Sequence, residues 1–338
     1  MKNKILHVMI VDKFLAPFID FVDTHVGREN HHYVFITSPK YLYGLTPEHN
    51  VEFLHTNDDI FMTLLAYMQE AEKIILHGLW REKVDMLLYF NPELLKKCYW
   101  FIWGGDFYFP EKQNWFKKQI IKDIAYLITD NQGDYELLKS MYGAKGMNIP
   151  CFGYPSNLHK ELQSTPKKDK TLFIQLGNSA DPTNQHIEAL QILQVYKEED
   201  IKIFVPLTYG NKEYAQGVIE EGYRLFGEKF FPIVEHMPYE EYMRFLEKID
   251  IAIFNHNRQQ AMGNIVTLLG MGKKVYLNKT TIWDYFAQDE IKVFSLADFD
   301  LHLLEQDEKE HNIDIIKARY SSEKLQKCLN TIFLKQAE

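Results

Sequence analysis

The sequence predicts an α/β protein built as two consecutive Rossmann-like, doubly wound domains that face a central cleft. Three observations predict it. Short apolar runs of strand length alternate with amphipathic stretches of helix length. The alternation occurs in two series, separated by one stretch rich in lysine and proline. The strand-length runs are continuously apolar, as strands are when helices cover both faces of a parallel sheet.

In the first series the strand candidates are residues 5–11, 33–37, 51–55, 73–77, 99–103, 126–129 and 148–152. Helical patterns such as 58–71 and 134–142 lie between them. Residues 153–170 then change character, with two prolines and a lysine cluster. This places a linker at 156–170, after an N-terminal domain of residues 1–155. The second series has strand candidates at 171–176, 201–206, 231–234, 251–254, 274–277 and 293–295, in a domain spanning 171–312. Tyr239, Tyr242, Met243 and Leu246 fall at i, i+3, i+4 and i+7, the spacing of a core-facing helical stripe. Residues 313–338 read as a helix or helix pair, expected to pack back on the N-terminal domain.

Composition narrows the function classes. The net charge of −9 argues against nucleic acid as a partner, because such binders normally carry a basic excess. The three cysteines, Cys98, Cys151 and Cys328, are far apart and form no CxxC spacing. That predicts a reducing compartment and no disulfide framework. The apolar run near the start is interrupted by His7 and ends at Asp12, so it reads as a first strand rather than a signal peptide. No run of about 18 apolar residues occurs. A cytoplasmic protein is expected. No HExxH pattern is present and no metal signature supports a bound cation, so neither a metal nor any other cofactor is expected.

Open α/β sheets bind ligands beyond the carboxyl ends of their strands, so polar sequences at those ends carry the functional signal. After strand 171–176 comes Gly177-Asn178-Ser179-Ala180-Asp181-Pro182-Thr183-Asn184. Small and polar residues there permit a sharp turn, and Thr183 or Asn184 is expected to cap a helix from His186 whose N-terminus would attract phosphate. After strand 251–254 comes Asn255-His256-Asn257-Arg258-Gln259-Gln260-Ala261-Met262-Gly263-Asn264. This is the sharper signal. Arg258 offers a fork of donors to phosphate oxygens. Gln259, Gln260 and Asn264 can bond phosphate or sugar hydroxyls, and Gly263 permits close backbone approach. Tyr209, in the turn after 201–206, could stack on a base or sugar or be a surface tyrosine on a loop. His236 and Met237, after strand 231–234, could hold a base through backbone contacts or form a plain loop.

In the first half His77 ends strand 73–77, and Asp106 follows strand 99–103 in a glycine turn. A His or Asp at such a place can take a proton from a hydroxyl, or can serve as a structural hydrogen-bonding or turn residue. Asp12 is a third residue of this kind. Residues 96–122 combine Trp100, Trp103, Phe107, Tyr108, Phe109, Trp115 and Phe116 with six lysines, the chemistry of an anionic lipid interface or of a core strand followed by a solvated helix. The architecture alone suits a glycosyltransferase, a sugar-nucleotide 2-epimerase or a non-catalytic two-lobed binding protein.

At these motifs the chain resembles the bacterial 4-acetamido-4,6-dideoxygalactose (Fuc4NAc) transferases of enterobacterial common antigen synthesis, glycosyltransferase family 56. The matching elements are HGL at 77–79, WGGDFY at 103–108, GNSADPTNQHIEAL at 177–190, VPLTYG at 205–210 and RQQAMGN at 258–264. The resemblance implies a metal-independent GT-B glycosyltransferase. It implies a nucleotide-diphosphate sugar, dTDP-Fuc4NAc, as donor and an undecaprenyl-diphosphate-linked saccharide as acceptor. It also implies a peripheral position on the cytoplasmic face of the inner membrane. It supports Asn178, Ser179, Arg258, Gln259 and Gln260 as donor contacts, and leaves His77 and Asp106 as the expected catalytic pair on the acceptor side.

Overall fold

The computed structural model describes residues 4–40, 42–161 and 170–334. Residues 162–169 of the expected linker and 335–338 of the expected C-terminal segment lie outside the described residues. The chain divides into two compact units. One runs to Ser156 and resumes at Ser322; the other spans Asn157–Ser321.

The first unit is built on seven strands: β1 Ile5–Met9, β2 His31–Phe35, β3 Glu52–Phe53, β4 Lys73–His77, β5 Cys98–Phe101, β6 Tyr126–Ile128 and β7 Met147–Ile149. All pair in parallel, in the order β3-β2-β1-β4-β5-β6-β7. Strand order therefore reverses between β1 and β4. β1 and β4 are buried along their whole length, so their apolar positions do not alternate with exposed ones; His7, Lys73 and His77 are their buried polar residues. Leu6, Val34, Ile74, Trp100 and Leu127 from successive strands meet Leu64, Leu88 and Leu138 in one core cluster.

The second unit repeats the plan with six strands: β8 Leu172–Leu176, β9 Ile201–Pro206, β10 Phe230–Ile233, β11 Ile251–Phe254, β12 Lys274–Leu277 and β13 Phe294–Ser295. Their order is β10-β9-β8-β11-β12-β13, again all parallel, with the reversal between β8 and β11. Ile174, Ile203, Ile253 and Tyr276 form the sheet side of its core. Both units are thus parallel-sheet α/β domains of the doubly wound kind expected.

Local departures have physical causes. The strand expected at 148–152 is Met147–Ile149, ending before Pro150, which has no N–H to donate. The strand expected at 33–37 begins instead at His31, a buried polar residue that an apolar pattern does not count. The helix expected at 58–71 is a π-helical stretch, Asp59–Leu64, leading into Leu65–Glu70. In helix Tyr239–Lys248 the stripe buries Met243 and Leu246, but Tyr239 at its start is exposed.

The expectation of no disulfide is overturned. Cys151, just beyond β7, is joined to Cys328 on helix Ser322–Leu334 across 177 positions of sequence. Spacing could not reveal this pair, because only the return of the last helix brings the two residues to a Cα separation of 5.5 Å. The same helix buries Leu325, Leu329, Ile332 and Phe333, the i, i+4, i+7, i+8 spacing of a core-facing stripe. Lys73 Nζ donates to the carbonyls of Ile332 and Phe333 at its C-terminal end, where a cation opposes the negative end of the helix dipole. Helix Gln306–Arg319 before it belongs to the second unit.

Cys328→Ser should lower the stability of the first unit by about 2–5 kcal/mol, the range for opening a long disulfide loop. Denaturant titration checks this, and a linked Cys151–Cys328 peptide in a non-reducing digest checks the pairing.

Candidate functional site

The loops after β8 and β11 leave adjacent strands at the reversal point of the second sheet and are stitched together by side chains. Asn184 is the hinge of the arrangement. Its Oδ1 accepts from the backbone N–H of Asn178 at 2.9 Å and from His256 Nε2 at 3.0 Å. Its Nδ2 donates to Ser179 Oγ at 3.3 Å. Asn184 and His256 are both buried. An amide oxygen can only accept, so His256 carries its proton on Nε2. Burial and the nearby Arg258 charge press its pKa well below the ordinary value, which keeps the ring neutral.

Further out, Arg258 Nη2 donates to Asp181 Oδ2 at 3.2 Å and Nη1 to the Gln259 carbonyl at 3.2 Å. Two of its five N–H donors are therefore engaged. Gln260 Nε2 donates to Thr183 Oγ1 at 3.1 Å. Asp181 Oδ1 accepts from both the backbone and hydroxyl of Thr183, at 2.9 and 2.7 Å. Burial alone would raise the Asp181 pKa, but the Thr183 bonds and the Arg258 charge outweigh it and hold the carboxyl below its usual range.

These bonds change the expected capping. Neither Thr183 nor Asn184 caps helix His186–Leu193; its N-cap is Gln185, in the left-handed region with no side-chain bond. The His186 N–H is taken by the Tyr214 hydroxyl at 3.0 Å. Helix Met262–Gly270 likewise begins without a side-chain cap, behind Ala261 at φ 60°. Gly263 and Asn264 lie in its first turn. Gly177 sits at φ +68°, and a Cβ there would come within 2.3 Å of His186 Nε2. That nitrogen and Asn178 Oδ1 are buried atoms without a protein partner, places where a ligand could supply the missing bond.

Tyr209 is exposed, and its hydroxyl accepts from Asn178 Nδ2 at 3.1 Å. Asn255 is buried with Nδ2 donating to the Gln185 carbonyl at 3.2 Å. His236, exposed, and Met237, half-buried, follow β10 at the sheet edge, two strands from β8. The structure thus brings together Gly177, Asn178, Ser179, Asp181, Tyr209, Arg258 and Gln260, with Gln259 adjoining through its carbonyl. It leaves His236 and Met237 on a separate loop of the same edge.

In the first unit Asp106 is fully buried and acts as a clasp. Its Oδ2 accepts from the Leu79 N–H at 3.0 Å and Trp100 Nε1 at 2.8 Å, and its Oδ1 from the Trp103 N–H at 3.1 Å. Burial nonetheless raises its pKa. Asp12, half-buried beyond β1, is raised for the same reason. His77 is one of a buried row. His31 Nδ1 meets His7 Nε2 at 2.8 Å, His7 Nδ1 meets His77 Nε2 at 3.0 Å, and His77 Nδ1 meets Tyr154 Oη at 2.8 Å. Trp103 Nε1 donates to Tyr154 Oη at 2.8 Å. Burial lowers His77 to about 3 and His31 to about 4, and His7 well below its usual value.

Sequence reasoning missed Asn184, His256, His7, His31 and Tyr154 as parts of these networks. One signal was available for His7: a polar residue at an inward position of an otherwise apolar strand.

Comparison with known proteins agrees with this fold. The sequence model of the family described as 4-alpha-L-fucosyltransferase, glycosyl transferase group 56, matches residues 6–320. Among solved structures, the chain is similar to a glycosyltransferase from Rickettsia africae, at 12% identity and TM-score 0.66, covering 99% of this chain and 100% of that one. It is similar to HepE of Anabaena in complex with UDP, at 13% identity and TM-score 0.65, covering 97% and 98%. It is also similar to a UDP-forming trehalose-phosphate synthase of Burkholderia xenovorans, at 10% identity and TM-score 0.67, covering 98% of each chain. The fold is of the GT-B type.

Two outcomes follow from this geometry. Gly177→Ala should destabilise the second unit by at least about 1 kcal/mol, from the left-handed backbone alone, with the His186 clash adding to it; thermal denaturation reads this. The buried histidines bind protons more weakly folded than unfolded, so their contribution to stability is complete above pH 6.5 and is lost as pH falls below it. Each imidazole contributes a slope of up to about 1.4 kcal/mol per pH unit there. Urea titrations at pH 7.5 and 5 should show a smaller loss for His7→Phe than for the unaltered chain.

Proposed function

We propose, for a chain that belongs to the group 56 glycosyltransferases, that the loops after β8 and β11 bind the diphosphate of a sugar nucleotide. The carrying observation is Arg258, mostly buried yet with three of its five donors unengaged, held beside Asn178, Ser179 and the uncapped start of helix Met262–Gly270. A guanidinium and the positive end of a helix dipole stabilise the charge that develops on a departing diphosphate. In this reading no metal is needed for that step. Asn178 and Ser179 contact phosphate or sugar, as do Asp181, Gln259, Gln260, Gly263 and Asn264. Asn255 shapes the turn, Tyr209 stacks on the ligand, and His236 and Met237 lie against the base. HepE, with the same fold, was solved with UDP bound, which supports a nucleoside diphosphate as ligand class.

The finer reading is transfer of Fuc4NAc, or a related deoxy-amino sugar, from a dTDP carrier to an undecaprenyl-diphosphate-linked saccharide for a bacterial surface glycan. It rests on the sequence motifs at 77–79, 103–108 and 258–264. The first unit receives the acceptor, with His77 handling its proton and Asp106 positioning the strand ends that frame it. No helix among the described residues is long and apolar enough to cross a membrane. Peripheral attachment to the cytoplasmic face of the inner membrane is favoured by Phe90 and Trp115, 66% and 53% exposed, which pack with Tyr89 and Phe116. Trp100, Phe107 and Tyr108 from the same stretch are core residues and take no part in that surface.

A thermal-shift screen of dTDP-, UDP- and GDP-sugars, followed by turnover with a lipid-linked acceptor, tests the proposal; a flat screen overturns it. Arg258→Ala should lower kcat/KM by about 10²–10³-fold, as loss of a charge-stabilising donor does, while leaving the thermal midpoint nearly unchanged.

A further inference from the structure

The histidine row in the first unit is ordered by the sheet itself. His7 on β1 pairs in register with Tyr33 on β2 and Ile75 on β4. His31 lies two residues before Tyr33 and His77 two residues after Ile75. With a side-chain period of two, all three imidazoles share one face of the sheet. They run diagonally from the start of β2 to the carboxyl end of β4. There the row meets Tyr154, which is packed against Phe14, Phe18 and Phe101.

One hydrogen bond at the end of the row has a fixed direction. Trp103 Nε1 can only donate, so Tyr154 Oη accepts from it. Tyr154 then has one proton to give, and His77 Nδ1 at 2.8 Å is positioned to receive it. In that sense of the row His77 donates through Nε2 to His7 Nδ1, and His7 through Nε2 to His31 Nδ1. His31 keeps its Nε2 proton at the end of the row, where 8% of the residue is exposed. Burial keeps all three rings uncharged at neutral pH. A row of neutral imidazoles in one tautomeric sense can pass a proton by exchanging tautomers, with no ring charged at rest.

We propose that Tyr154 is the group that takes the proton of the acceptor hydroxyl, and that His77, His7 and His31 form a relay carrying a proton away from it. This rests on the reading that the first unit receives the acceptor. In the step, the acceptor oxygen bonds to the anomeric carbon as the bond from that carbon to the diphosphate oxygen breaks, and the diphosphate leaves with the electron pair. The acceptor proton passes to the remaining lone pair of Tyr154 Oη. The Tyr154 proton moves to His77 Nδ1, the His77 Nε2 proton to His7 Nδ1, the His7 Nε2 proton to His31 Nδ1, and the His31 Nε2 proton to water. After product departs, water takes the new Tyr154 proton and His31 regains one, which restores the starting tautomers. Tyr154 is the catalytic residue; the histidines act through it.

Two measurements on the full chain test this. Nitrogen-15 NMR of the free protein at neutral pH should find His7, His31 and His77 all neutral with the proton on Nε2; a mixed set of tautomers or a charged ring overturns the relay. Rapid-quench single turnovers with sugar nucleotide and lipid-linked acceptor should show a solvent isotope effect with a bowed proton inventory. Tyr154→Phe and His7→Phe should each slow that step by about 10²-fold, the scale of general-base catalysis, while the donor-induced thermal shift and the KM for donor are retained. An unaltered turnover rate in folded His7→Phe, or a linear inventory in the unaltered enzyme, overturns the relay alone. Absence of any donor-induced shift in the unaltered enzyme overturns the underlying transferase reading instead.

Discussion

Everything functional here depends on one constraint of parallel sheets: where strand order reverses, two neighbouring loops leave the same edge in opposite directions and open a crevice between them. In the second unit that reversal lies between β8 and β11. The loops that leave those strands carry Asp181 and Arg258, 77 positions apart in sequence and 3.2 Å apart in space. Asn184 holds the inner part of the crevice closed by accepting from both loops. In the outer part Arg258 engages only two of its five N–H donors. The same reversal in the first unit, between β1 and β4, sets His77 at the end of the histidine row.

The two crevices solve the cost of burying polar groups in different ways. In the second unit one amide side chain satisfies several partners at once. In the first, three imidazoles satisfy one another in a line, and each must be neutral because burial penalises the charged form. The line is sealed by helix Ser322–Leu334, whose Phe333 ring packs edge-on against His7 and His31. That helix is held by Lys73 at its end and by the Cys151–Cys328 bond at its middle. The last helix of the chain therefore contributes to the interior of the first unit, although nearly the whole second unit separates them in sequence.

Group 56 membership and GT-B architecture settle that the protein is a glycosyltransferase. Asp106 ties two strand ends of the first unit together. Its place after β5 invited comparison with a catalytic base, yet its oxygens accept from Leu79, Trp100 and Trp103 and tie the ends of β4 and β5 together. Such a clasp fixes where His77 and Trp103 stand.

The sequence by itself determined the two parallel sheets, because unbroken apolar strands alternating with helices have few other stable packings, and it determined which loops are dense in polar groups. The Arg258 and Asn178 loops were legible for that reason: their signal is local composition at a strand end. What the tertiary structure alone decided is pairing. Asn184 with His256, His7 with His31 and His77, and Cys151 with Cys328 are all contacts between residues distant in the chain. Strand register and helix return set those contacts, and neither is written in the local pattern around any one of the partners.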